Sequence, residues 1–139
     1  MGSRIYHYLH AVQSTGTTGL TTAFPATPTR TIDLTGGQTV IPSSRWVNFI
    51  ESLLLWVDTI AAGATKITMR LTADAAGDQC IIPDVQATLA TGITTATKGS
   101  VAFSCGFALP QVTSATVYLW CKTDAGTCNL GTATLTWKE

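Results

Sequence analysis

The stretch Ala115-Thr116-Val117-Tyr118-Leu119-Trp120-Cys121-Lys122 alternates residue by residue between apolar and mostly polar side chains. In a β-strand, successive side chains point to opposite faces of the sheet. Ala115, Val117, Leu119 and Cys121 therefore share one side, and Thr116, Tyr118, Trp120 and Lys122 share the other. The scheme recurs near the C-terminus, where Ala133, Leu135 and Trp137 oppose Thr132, Thr134 and Thr136. It recurs again in the middle, where Ile67, Met69 and Leu71 oppose Thr68, Arg70 and Thr72. The polar side is mostly threonine rather than ions. This is the pattern of a half-buried antiparallel sheet with nearly uncharged outer faces.

Outward from that stretch, turn signals divide the chain at intervals typical of a sandwich, giving about eight strands. The expected fold is all-β: an antiparallel β-sandwich built as one domain over residues 1–139. A first strand spans 4–13 and ends in the turn-rich Ser14-Thr15-Gly16-Thr17-Thr18-Gly19. The prolines of Phe24-Pro25-Ala26-Thr27-Pro28-Thr29 hold the chain extended and deny it ladder bonding, so 14–30 contains a loop, an edge or an extended arm. Short strands follow at 31–34 and 39–41. Regular strands are expected at 66–73 and 80–82, a strand or helical turn at 85–89, and a Thr-rich loop at 91–98. Strands at 100–109, 115–123 and 128–137 then follow in meander order.

Residues 45–60 admit two readings. Val47, Ile50, Leu54, Val57 and Ala61 would fit one face of a helix. With a period of two, Phe49, Leu53 and Leu55 oppose Trp46, Ile50, Leu54 and Trp56, which makes both faces apolar. The aromatic and branched composition, and the β patterns on either side, favour a long strand. Such a strand must be covered twice, by the domain's own core and by a loop or a neighbouring subunit.

Composition bounds the function. Charged residues make up 12% of the 139, and eight basic against eight acidic side chains cancel to a net charge of zero. An average soluble domain is about 25% charged. There is thus no long-range field to repel copies of the molecule or attract polyanions. Arginines and lysines are dispersed, which argues against nucleic-acid binding. No run approaches the roughly 20 apolar residues that cross a bilayer. The opening Met1-Gly2-Ser3-Arg4 is followed by no uninterrupted apolar core, so the expectation is synthesis in the cytoplasm without a signal peptide. Cys80, Cys105, Cys121 and Cys128 match no metal or redox spacing and read as reduced, buried thiols. Cys105 continues the inward row of Val101, Phe103, Phe107 and Leu109. If any pair bridges, it is Cys121 with Cys128.

Catalytic signals are weak. His7 and His10 fall on opposite faces of a strand and do not converge on one metal. Asp74 and Asp78 lack the spacing and closing Glu of a calcium loop and read as turn formers. No nucleophile elbow or phosphate-cradling glycine loop occurs. The sequence therefore predicts neither an enzyme nor a cofactor. Contact surfaces remain: Trp137 continues an apolar row and reads as core, whereas Trp120 and Tyr118 stand on the Thr-bearing face and read as accessible.

Segments such as Ile67-Thr68-Met69-Arg70-Leu71-Thr72 and Thr116-Val117-Tyr118-Leu119-Trp120, in a small neutral chain rich in Thr, Ala and Gly, resemble the jelly-roll cement or decoration proteins of tailed-phage heads. The likeness spans the chain in length, strand number and composition. It implies two facing sheets, assembly in the host cytoplasm, and docking on the outer capsid surface across joints between major capsid subunits. It also implies a homo-oligomer, for which a dimer is the expectation. The interface candidates are Phe24, Pro25, Pro28, Trp46, Ile50, Leu54, Trp56, Tyr118 and Trp120. The alternative is a glycan-binding or adhesive module of a tail fibre or baseplate, with Trp120 and Tyr118 as its stacking surface. Deletion of 24–29 is expected to spare the fold and weaken attachment.

Overall fold

The computed structural model describes residues 9–34, 49–107 and 116–138, with side chains described over 11–34, 52–104 and 116–137. Among the described residues nine strands form: β1 (Leu9–Ser14), β2 (Thr18–Leu20), β3 (Arg30–Asp33), β4 (Phe49–Ala61), β5 (Lys66–Thr72), β6 (Cys80–Thr88), β7 (Gly99–Phe107), β8 (Thr116–Thr123) and β9 (Thr127–Lys138). They build two antiparallel sheets. The first runs β1-β9-β4-β7, with β2 also on β9, and the second runs β3-β8-β5-β6.

β1 and β2 lie one after the other along the same edge of β9, with Ser14 opposite Ala133 and Thr18 opposite Leu130. They are one lane of the sheet, interrupted at 15–17. The nine strands thus fill eight lanes. The first lane pairs with the last, β3 with β8, β4 with β7 and β5 with β6. That is one long hairpin folded over on itself, so that consecutive lanes alternate between sheets except at the β5–β6 tip. This is a jelly roll. The alternation of 115–122 and its neighbours leads only as far as a sandwich; the jelly-roll order is what the family resemblance implies.

The meander order expected for the last three strands does not hold. β7 pairs with β4, β8 with β3 and β5, and β9 with β1, β2 and β4, so none of the three bonds to the next. Alternation of side chains reports which face of a strand is buried and is silent about which sheet it joins.

Residues 49–61 are strand, not helix. Leu53, Leu55 and Val57 face the core, and Leu54 and Trp56 face outward. The inward rows of the other alternating segments meet them: Ile67, Met69 and Leu71 from β5, Val117, Leu119 and Cys121 from β8, and Ala133, Leu135 and Trp137 from β9. Each fully buried Leu or Ile contributes about 1.5–3 kcal/mol relative to leaving it in water. Residues 80–88 form one continuous strand through Pro83. β6 is the last strand of its sheet, and its pairing with β5 shifts register between Met69 and Leu71, so the missing proline N–H breaks no regular ladder.

Charged side chains hold the corners of the roll. Asp124, in the β8–β9 turn, accepts the backbone N–H groups of Thr65 and Lys66, each at 2.9 Å, and the Thr65 hydroxyl. It ties that turn to the β4–β5 corner. Arg30 is buried at the interruption between β1 and β2, where its guanidinium donates to Ser14 O (3.1 Å), Thr18 Oγ1 (3.0 Å) and Leu130 O (3.0 Å). Desolvation lowers its pKa from the ordinary arginine value. Asp74 closes the β5–β6 turn by accepting from the N–H groups of Asp78 (3.2 Å) and Gln79 (2.8 Å), as its reading as a turn former requires.

Candidate functional site

The roll presents two broad outer faces, and the predicted interface residues whose side chains are described, Trp120 apart, divide between them. On the β3-β8-β5-β6 sheet, the segment after β2 turns back across the strands. The Phe24 ring lies beneath two cations, with the Arg70 guanidinium 4.5 Å and the Lys122 ammonium 4.7 Å from its centroid. Arg70 is itself paired with Asp84 through Nε (2.7 Å) and Nη2 (3.2 Å), which raises its pKa. Thr29 is buried, and its hydroxyl accepts the N–H of Cys121 at 2.9 Å, while Thr21 O accepts the N–H of Thr123 at 2.8 Å. Residues 21–29 are therefore a loop fastened to β8 at both ends, by the Thr21 carbonyl and by the Thr29 hydroxyl, with Pro25 exposed and Pro28 half-buried.

Tyr118 is half-buried on this face, but Trp120 is only 5% exposed, which corrects its reading as an accessible platform. Its indole N–H donates to Thr72 Oγ1 at 2.9 Å. The ring is covered by the Asp74–Asp78 turn so closely that a Cβ on Gly77 would stand 3.1 Å from it. The stacking surface expected from Trp120 and Tyr118 together is absent. The turn that covers the ring is remote in sequence, so alternation within β8 gives no sign of it. Thr68 and Thr72, also assigned to the polar face, are buried as well.

The other face belongs to the β1-β9-β4-β7 sheet. Here Trp56 is 41% exposed, with Leu54 half-buried two residues before it on the same side of β4. Leu55 pairs with Ala133 and Val57 with Leu130, so one residue of β4 faces both Gly131 and Thr132 of a β-bulge. Gly131 adds no side chain there. Beside it the first lane is interrupted at 15–17. The bulge, the missing side chain and the broken lane leave a groove of about 380 Å³, walled by Trp56 and lined by Gln13, Gly16, Thr17, Val57, Asp58, Lys98, Gly131 and Thr132. Asp58 and Lys98 stand 4.0 Å apart at the groove, and Thr59 Oγ1 donates to the other Asp58 oxygen at 2.8 Å. The groove is polar and, counted over its charged groups, neutral.

No protein-family model matches the sequence, and no curated protein matches it. Among solved structures, the coat protein of tobacco streak virus is similar to this chain. The TM-score is 0.37 at 12% identity, over 99% of this chain and 90% of that one.

Trp46 lies outside the described residues, as do His7 and the expected strand at 39–41; Ile50 lies in β4, but its side chain, like those of His10 and Cys105, is outside them. Cys121 and Cys128 are free and buried, as their reading as small core residues requires. Burial pushes both thiol pKa values up, that of Cys128 to about 11. Cys80 is also free but exposed, contrary to the expectation of burial. Among the described residues no three His, Cys, Asp or Glu side chains gather to hold a metal. The Trp56 groove escaped the sequence reading because its parts come from five separate segments. Gly131 inside a strand pattern was the available signal, since glycine there commonly marks a bulge.

Proposed function

We propose that this chain is a structural virion protein, a cement or decoration protein that lies on the outer surface of a phage head, spans joints between major capsid subunits and stabilises the shell. The observation that carries this reading is the placement of the charges. In a chain only 12% charged, Asp124, Arg30, Asp74 and the Arg70–Asp84 pair are spent on holding corners, turns and the 21–29 loop. Few charges remain on the broad faces, among them Lys122 beside the Arg70–Asp84 pair on one and Asp58 with Lys98 on the other, and between them the surface is threonine with a few aromatic and aliphatic side chains. Such faces are inexpensive to desolvate against another protein, and neutrality lets many copies sit side by side. On a shell with many identical sites, a modest interface per copy suffices when each copy also touches a neighbour.

The capsid-facing surface in this reading is the β3-β8-β5-β6 sheet with its fastened loop, where Pro25, Pro28, Phe24 and Tyr118 form a relief held in place before contact. A pre-ordered loop loses little entropy on docking. The protein acts as a homo-oligomer, a dimer, without a cofactor.

The test is co-sedimentation of the purified chain with phage heads lacking it. Saturation at a copy number comparable to that of the major capsid protein, with a higher melting temperature of the shell, is the expected result. Pro25→Asp, at an exposed position, should weaken attachment and leave the melting curve of the free chain in place. Heads that neither retain the chain nor gain stability would refute the proposal.

A further inference from the structure

We infer that the groove beside Trp56 is a binding site for a neutral saccharide, on the face opposite the one proposed to meet the capsid. The argument begins with what makes the groove. A 41% exposed indole stands in the middle of a sheet whose surrounding irregularities all remove material from one place. β9 bulges opposite it, Gly131 contributes no side chain, and the first lane breaks off alongside. A plain sheet would have filled this space with side chains from the neighbouring strands. Bulges recur next to binding sites because they re-aim side chains and open local room.

The lining gives the class of ligand. A flat aromatic wall suits the C–H face of a pyranose ring. Gln13 supplies amide donor and acceptor groups, Thr132 a hydroxyl, Asp58 an acceptor and Lys98 a donor, all suited to sugar hydroxyls. Asp58 and Lys98 are 4.0 Å apart, too far for a tight ion pair, so both retain bonding capacity toward a guest. Together they cancel, which disfavours phosphates and other strongly charged ligands. The volume of about 380 Å³ lies near the small end of ligand sites, which run to about 1,000 Å³. A peptide adding itself as a strand would find no ladder here, since β4 is already bonded to β9 and β7.

The site does not depend on the virion reading, so it is tested on the isolated chain with no capsid present. The indole N–H resonances of the ¹⁵N-labelled protein are followed while neutral hexoses, N-acetylhexosamines and their short oligomers are added to millimolar concentrations. The expected result is a saturable shift of the Trp56 indole with at least one of them. Trp56→Ala should abolish binding, and Gly131→Val, which fills the groove while keeping the indole, should weaken it by about tenfold or more. Both variants should keep the wild-type amide spectrum away from the groove. If no saccharide moves the Trp56 resonance, or if binding survives both substitutions, the inference is wrong. A Trp56 resonance that responds only to protein concentration would assign the face to a second copy of the chain and would overturn it equally.

Discussion

Asp124 lies at the surface and nevertheless organises two corners of the roll. Three donors from Thr65 and Lys66 converge on its carboxylate and hold its pKa far below the usual range. Because the folded-state value is depressed, the stabilisation is present in full above the unfolded value of about 3.9 and is lost as pH falls below it. Acid titration of the unfolding midpoint should therefore show stability dropping below about pH 4, and Asp124→Asn should flatten that limb. An unchanged acid limb in the variant would show that the clamp contributes nothing. Gly126 in the same turn has φ of +58°, and a Cβ there would stand 2.0 Å from Ala61 O. Both the conformation and the space exclude a side chain. Gly126→Ala should cost more than about 1 kcal/mol in urea unfolding, because the corner must open to admit it.

Among the elements, the 21–29 loop illustrates how sequence can locate a segment and still misjudge its attachment. Two prolines in four positions place it correctly outside the ladders. They do not reveal that Thr29 supplies the acceptor for the buried Cys121 N–H, or that Thr21 does so for Thr123. Thr29→Val keeps the shape and removes the acceptor, so it should cost about 1–3 kcal/mol, measured by chemical denaturation. For the same reason, deletion of 24–29 is now expected to destabilise the fold instead of sparing it, against the expectation from sequence. β4 is the converse case. Its two apolar faces were legible from 45–60, and its aromatic and branched composition between β patterns made a strand the better reading than a helix. That its outer face would carry a groove was not legible, because the groove depends on Gly131 and on the break in the first lane, both far away in the chain.

At the scale of the molecule, the roll joins its first lane to its last, so most of its pairings link residues distant in sequence. Loop closure must precede these contacts, which places refolding in the millisecond-to-second range typical of β-sandwiches. Stopped-flow fluorescence should show this, and a microsecond phase accounting for the whole amplitude would contradict it. The period-two alternation of 115–122, 132–137 and 67–72 by itself determined the all-β class, the inward faces and most strand positions, because a side chain's face follows from its place in its own strand. Only the tertiary structure decided the sheet to which each strand belongs, the burial of Trp120 and the exposure of Trp56 beside a groove. Those outcomes depend on which distant segment arrives on the far side of a strand, and no local pattern encodes it.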